Sequence, residues 1–293
     1  MENSSEKIAR LEKIMADTTD RNPHTTEIIN AFRPLIIKRE QLLDSEILKD
    51  KEVFSLDEAL FRDGKPLFEQ NVIFHEDDPF EQVFLSLIPA FQEGFPKLDE
   101  VWKRLEDHVK EKKIRLYDFF GQSSNEDDLM KKWAELADTD PRIIGFALSW
   151  VIRIMLRKKS QNWETLIQGF TWDKGYCPIC GALPGIAIIK EGTSVRWLHC
   201  SECAHEWSFS RVICPGCGNK DQKTMTYFLV EDKELESTFV CEECKRYLIT
   251  LNKVSDLADI DADIMALGLA HLDMIMQEKG FLPMAEPQWG IFS

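Results

Sequence analysis

Cys177-Pro-Ile-Cys180, Cys200-Ser-Glu-Cys203, Cys214-Pro-Gly-Cys217 and Cys241-Glu-Glu-Cys244 contain every cysteine of the 293-residue chain. A two-residue gap lets both sulfurs of a pair reach one metal ion from a single tight turn, and two such turns complete a tetrahedral four-sulfur site. Eight thiolates therefore predict two metal ions, with Cys177, Cys180, Cys200, Cys203, Cys214, Cys217, Cys241 and Cys244 as ligands. The gaps between successive pairs are 19, 10 and 23 residues. The first and last gaps are long enough for a hairpin. Gly185–Lys190 and Ser194–His199 flank Glu191-Gly192-Thr193, and Met225–Val230 and Ser237–Val240 flank a charged turn, Glu231–Glu236. The expected grouping is serial, in two zinc-ribbon or rubredoxin-like modules spanning 177–203 and 214–244. An interleaved grouping, first pair with third and second with fourth, stays open. In the first and third pairs, proline follows the first cysteine and glycine the second. Proline presets the turn, and glycine accepts the positive φ that such a turn needs. Metals of this kind often serve only to staple a small domain, and disulfides are the other alternative.

The chain's formal charge is −15 and its hydrophobic fraction 44%. The first value weighs against nucleic acid, whose phosphates are bound by clustered Lys and Arg. The second is ordinary for a globular protein. The polar first 30 residues lack the apolar segment of a signal peptide, and no run approaches 18 apolar residues. A cytoplasmic protein without membrane insertion is expected.

Residues 1–170 read as a helical domain. Three-residue spacing places Ile8, Leu11 and Ile14 on one helical face. Ile28–Leu48 forms a second apolar-faced run, which Pro34 should kink or split. Ser55-Leu-Asp-Glu58 matches a capping box, and Asp77-Asp78-Pro79 opens a helix through Phe80, Val83, Phe84, Leu87 and Ile88. Another helix follows Pro96, Ser124 caps the next, and Asp140-Pro141 opens the most apolar one. His24, His75 and His108 stand isolated in sequence and read as surface or cap residues, and the stripe Phe80/Phe84/Phe91/Phe95 reads as core. Gln161–Tyr176, with Trp163, Phe170 and Trp172, reads as a packed junction. The four-cysteine region spans 171–253, where Tyr247–Asn252 adds a strand to the second module. Residues 254–293 form an acidic C-terminal helix (Ile260–Met276) and tail, and the apolar end Phe281–Phe292 is expected to pack back on the fold. His199 and His205 read as neighbours of the metal sites, not ligands. Trp197, Trp207 and Arg211 read as scaffold, and Glu206 as a partner for Arg196 or Arg211. No nucleophile–base pair stands out.

The run Arg196-Trp-Leu-His-Cys-Ser-x-Cys203-x-x-Glu206-Trp207, then Arg211 and Cys214-x-x-Cys217-Gly218, resembles the formate dehydrogenase accessory protein family, FdhE. Tyr176-Cys-Pro-x-Cys-Gly181 and Cys241-x-x-Cys244-x-x-Tyr247-Leu248 are similar to that family's first and fourth motifs. The likeness is close from Tyr176 to Leu251 and general elsewhere. It implies a cytoplasmic assembly factor, not an enzyme. Such a factor binds the immature catalytic subunit of a molybdenum- or tungsten-dependent formate dehydrogenase and supports its maturation before export or assembly. The resemblance admits either iron or zinc in the two sites, and a homo-oligomer. A rubredoxin-like electron-transfer protein is the alternative, and a nucleic-acid-binding zinc ribbon a weaker one. The fold expected is α+β: a helical N-terminal domain, two tandem four-cysteine modules and a C-terminal helix.

Overall fold

The computed structural model describes residues 4–49, 54–121, 126–192, 195–230, 233–255 and 260–290. The cap expected at Ser124, Thr193 of the first hairpin turn, residues 231–232 of the charged turn and the apolar Phe292 lie outside the described residues.

The helical half contains α1 (Ser4–Arg21), α2 (Thr26–Leu43), α3 (Glu58–Arg62), α4 (Phe80–Gly94), α5 (Asp99–Lys110), α6 (Tyr117–Phe120), α7 (Glu126–Ala137) and α8 (Pro141–Trp163). Its core gathers the apolar faces read from sequence: Leu11 and Ile14 of α1, Phe32 and Leu35 of α2, Phe80, Phe84 and Phe91 of α4, and Trp102 of α5. Aromatic rings knit these helices together, with Phe91 stacked on Trp102 at 4.8 Å and Phe32 edge-on to Phe146 at 5.9 Å. Such pairs add to the free energy of burial alone.

Several local expectations are corrected. Pro34 lies inside α2 without ending it. The cap of α3 is Asp57, not Ser55: its carboxylate accepts from the N–H groups of Ala59 and Leu60, the first orphan donors of the helix. His24 is exposed, as its sequence reading expects, and its ring meets that of His271 edge-on at 4.3 Å.

The cysteine region is one continuous sheet. Its strands are β1 (Pro184–Lys190), β2 (Arg196–Cys200), β3 (Glu206–Phe209), β4 (Met225–Val230), β5 (Lys233–Cys241) and β6 (Arg246–Val254). The spatial order is β3-β2-β1-β6-β5-β4. Each module is an antiparallel meander, and the two join where β1 and β6 pair in parallel, Ala187 opposite Thr250. The strand at Tyr247–Asn252 thus serves both modules. Alternation sorts the side chains by face. Ala187, Leu198, Phe239 and Leu248 join the sulfurs, Phe68 of the helical half and Trp163 of the junction on one side. Ile186, Ile188, Val240, Tyr247 and Ile249 lie on the other.

The C-terminal helix is two helices, α9 (Ala262–Gly268) and α10 (Ala270–Glu278), followed by β7 (Leu282–Pro283) beside β6. They cover the second face of the sheet through Met265, Leu269, Leu272 and Met276. The opposite side of α9 gives Ile264 and Leu267 to the helical core. The tail folds back, and Trp289 is buried with its indole N–H donating to Asp273 at 3.1 Å.

Candidate metal centres

Each Cys-x-x-Cys turn is built by the same backbone device. The N–H of the first cysteine donates to the carbonyl five residues on: Cys177 to Ala182, Cys200 to His205 and Cys214 to Asn219, at 2.9–3.0 Å. In the fourth turn Cys241 pairs with Arg246 across β5 and β6. The residue after the second cysteine takes a positive φ in all four: +80° at Gly181, +60° at Ala204, +73° at Gly218 and +55° at Lys245. Glycine adopts this freely, whereas Ala204 and Lys245 carry a steric cost of about 1 kcal/mol each. The sequence marks two of the four turns with glycine and conceals the other two. Turn amides then point at sulfur, as in Ile179 N–H to Cys177 Sγ and Glu202 N–H to Cys200 Sγ, both at 3.4 Å.

The sulfurs fall into two groups in the serial arrangement, Cys177/Cys180/Cys200/Cys203 and Cys214/Cys217/Cys241/Cys244, with all ligand atoms of a group within 4.8 Å of one another. The separations Cys177–Cys203 and Cys180–Cys200 are 3.5 and 3.3 Å, and Cys214–Cys244 and Cys217–Cys241 are 3.8 Å. A tetrahedron with metal–sulfur bonds of about 2.3 Å has edges of about 3.8 Å, whereas a disulfide needs about 2.05 Å. The geometry fits two tetrathiolate ions. Burial pushes the Cys177 and Cys214 thiols well above their ordinary range, and the Cys244 thiol up to about 11. A bound cation is what would ionise such groups near neutral pH.

The two centres differ in their surroundings. In the first, Cys177, Cys200 and Cys203 are buried and Cys180 is half-buried. Its first turn docks on the helical half, where Leu67 and Phe68 N–H donate to the carbonyls of Pro178 and Ile179 at 3.0 and 2.8 Å. In the second, Cys214 and Cys241 are buried, Cys244 is half-buried and Cys217 is exposed.

His199, beside Cys200, is 6% exposed and lies between two carboxylates: Nδ1 is 3.2 Å from Glu206 and Nε2 3.3 Å from Asp263. Burial alone would lower its pKa, but hydrogen bonds to Asp263 and Glu206 win and push it up to about 10. It is an imidazolium at neutral pH. Glu206 therefore partners His199, not Arg196 or Arg211 as the sequence suggested. Asp263 also accepts from Arg39 at 2.5 Å and Arg157 at 2.7 Å, and Glu40 pairs with Arg39 and Lys7 at 2.7 and 2.6 Å. This buried charge network ties α2 and α8 through α9 to the first centre. The sequence does not announce it, because its members lie far apart along the chain and each alone reads as a surface charge. His205 is half-buried, and burial lowers its pKa to about 4. Trp207 is buried, its indole N–H donating to the Lys174 carbonyl at 3.2 Å, and Arg211 is exposed.

Residues 176–211 match the family model "FdhE, central domain". A "Protein FdhE homolog" from Aquifex aeolicus (strain VF5) is 26% identical over 274 residues, covering 89% of this chain and 87% of the relative. One from Haemophilus influenzae (strain PittEE) is 34% identical over 110 residues, 36% of this chain and 35% of its own length. The crystal structure of the FdhE protein from Pseudomonas aeruginosa superposes with a TM-score of 0.63 at 19% identity, covering 98% of this chain and 97% of that one. The cysteine motifs, the near full-length alignment and the shared architecture converge on one likeness: the chain is similar to FdhE proteins over nearly its whole length.

Proposed function

We propose that this protein is a cytoplasmic accessory factor that binds the immature catalytic subunit of a molybdenum- or tungsten-dependent formate dehydrogenase and supports its maturation, without itself catalysing a reaction. The observation that carries this reading is its FdhE-family likeness over nearly the whole chain. In this reading the eight cysteines hold two ions of iron or zinc, which fix the sheet against the helical half. The working division is a helical part at 1–170, the metal part at 171–253 and the closing segment at 254–293. Zinc would be redox-silent there, and iron would add a one-electron couple. Nucleic acid is not a partner in this reading, and the charge of −15 disfavours it.

The test is affinity capture of the tagged full chain from its own cells grown with formate, with bound proteins identified by mass. Retention of a formate dehydrogenase catalytic subunit supports the reading. Repeated capture without that subunit refutes it.

A second reading, one-electron transfer at the second centre, draws on the exposure of Cys217. Reversible reduction of a chain purified with iron supports it, and a chain purified with zinc alone removes it.

A further inference from the structure

Arg196 poses a physical problem that the fold does not solve by itself. It is 0% exposed, among the largest fully buried side chains of the protein. A buried guanidinium ordinarily faces a carboxylate, because an uncompensated charge in a low-dielectric interior costs several kcal/mol. Among the described residues no carboxylate pairs with Arg196. Its Nη2 donates to the carbonyls of Ser210 and Ile213 at 2.8 and 2.7 Å. Its guanidinium lies between the rings of Phe209 and Phe239, 5.3 and 5.2 Å from their centroids. Among the described residues its Nε and Nη1 have no hydrogen-bond partner. Carbonyl dipoles and ring faces are favourable to a cation, but they carry no countercharge.

Its place in the fold points to the missing charge. Ile213, which accepts one of its hydrogen bonds, is the residue before Cys214. Phe239, which covers one face, stands two residues before Cys241 in β5. The guanidinium is therefore wedged between the two backbone segments that deliver one ligand from each half of the second four-sulfur group. Burial lowers the pKa of Arg196 and the like charge of Arg211 adds to that, whereas the Tyr227 hydroxyl and the Cys214 thiol favour its charged form. A divalent ion held by four thiolates carries a formal charge of about −2.

We propose that Arg196 is the built-in counter-cation of the second tetrathiolate centre, contributed to it across the sheet from the strand that ends in Cys200 of the first. The proposal rests on the metal reading of the eight cysteines. It gives Arg196 a positioning and charge-compensating role: it holds the Ser210–Ile213 approach to Cys214 and offsets the negative charge of the loaded site. It also makes the two centres electrostatically asymmetric. The cation next to the first centre, His199, is already matched by Glu206 and Asp263, whereas no carboxylate among the described residues matches Arg196.

The experiment uses the full chain loaded with Co²⁺, followed through the thiolate-to-cobalt charge-transfer band during competition with a chelator, together with the pH at which each ion is released. Cys217→Ser, at the exposed ligand, identifies which of the two binding events belongs to the second centre. Arg196→Gln is expected to weaken that event about tenfold and to raise its release pH, leaving the other event in place. Arg196→Lys, which restores charge without the planar fork, should recover most of both. The proposal is overturned if Gln and wild type bind alike. It is equally overturned if Lys is as weak as Gln, which would assign the effect to the hydrogen bonds and not the charge, or if Gln weakens both centres equally. Failure of the wild-type chain to bind any metal refutes the metal reading first, and this proposal with it.

Discussion

Replacing Asp263 by asparagine removes one charge from the joint between the helical half and the first centre while keeping the side chain's shape. Wild-type Asp263 takes hydrogen bonds from Arg39 at 2.5 Å, Arg157 at 2.7 Å and His199 at 3.3 Å, with its side chain 11% exposed. Asparagine leaves three cations crowded around a neutral amide. Arg39 and Arg157 keep Glu40, at 2.7 and 3.8 Å, and His199 keeps Glu206. Removing one partner of a buried pair costs about 3–5 kcal/mol. For a chain of this size that lowers the melting temperature by about 5–8 °C. The assay is thermal unfolding of the metal-loaded chain, run as a double-mutant cycle with His199→Gln. A coupling energy above about 1 kcal/mol is expected between the two positions. The His199 pKa of about 10 lies above its ordinary value of 6.5, so its contribution is full below about 6.5 and fades as pH rises through about 10. The coupling should fade over the same window. A destabilisation under about 1 kcal/mol at pH 7, or additive single mutants, would refute the claim that this network fastens the two halves.

Three further outcomes are expected. Burial lifts the Asp273 pKa from 3.8 to about 6, so the native state holds that proton more tightly than the unfolded chain; wild-type stability should fall by up to about 3 kcal/mol between about pH 4 and pH 6 and stay lower above. Asp273→Asn keeps an acceptor for Trp289 and should lack this fall in pH-dependent denaturation, so identical profiles would contradict the assignment. Cys177→Ser and Cys217→Ser should each remove one ion by elemental analysis, with the buried Cys177 position losing more stability than the exposed Cys217; loss of both ions from either variant would count against independent serial centres. At Gly94 a Cβ would stand 2.1 Å from the Ala31 carbonyl oxygen, so Gly94→Ala should force α2 and α4 apart and cost about 1–3 kcal/mol in denaturant unfolding.

The legible parts of this protein are those governed by local chemistry. Cysteine spacing exposed the four turns, alternation gave the strands around them, and helical periodicity gave the apolar faces of α1, α4 and α5. What stayed hidden depended on distant partners. The parallel pairing of β1 with β6 joins segments some sixty residues apart, and nothing in either strand specifies a neighbour on its second edge. Asp263 reads as one acid in an acidic tail until α9 carries it between Arg39, Arg157 and His199. Arg196 sits in a strand that looks half exposed, and its burial draws on Phe209 of β3 and Phe239 of β5, which are distant in sequence. The break between α9 and α10 at Leu269 was missed because apolar periodicity continues across it, with Leu269 and Leu272 facing the sheet on either side. The positive φ at Ala204 and Lys245 was missed because neither residue type signals it.

The placement of α9 has a consequence for synthesis. A chain emerging from the ribosome would present α1 to α8 with one wall of their core missing, since Ile264 and Leu267 follow the whole of β1 to β6 in chain order. The centre of the sheet would be equally late, because β1 acquires its inner neighbour only when β6 appears. Apolar surface on both halves would therefore stay open until α9 has been made, and the native state would close in a late step dominated by long-range contacts. A ribosome-stalled chain ending before Ala262 should remain protease-sensitive in both halves, whereas a chain extended past Trp289 with a linker should not.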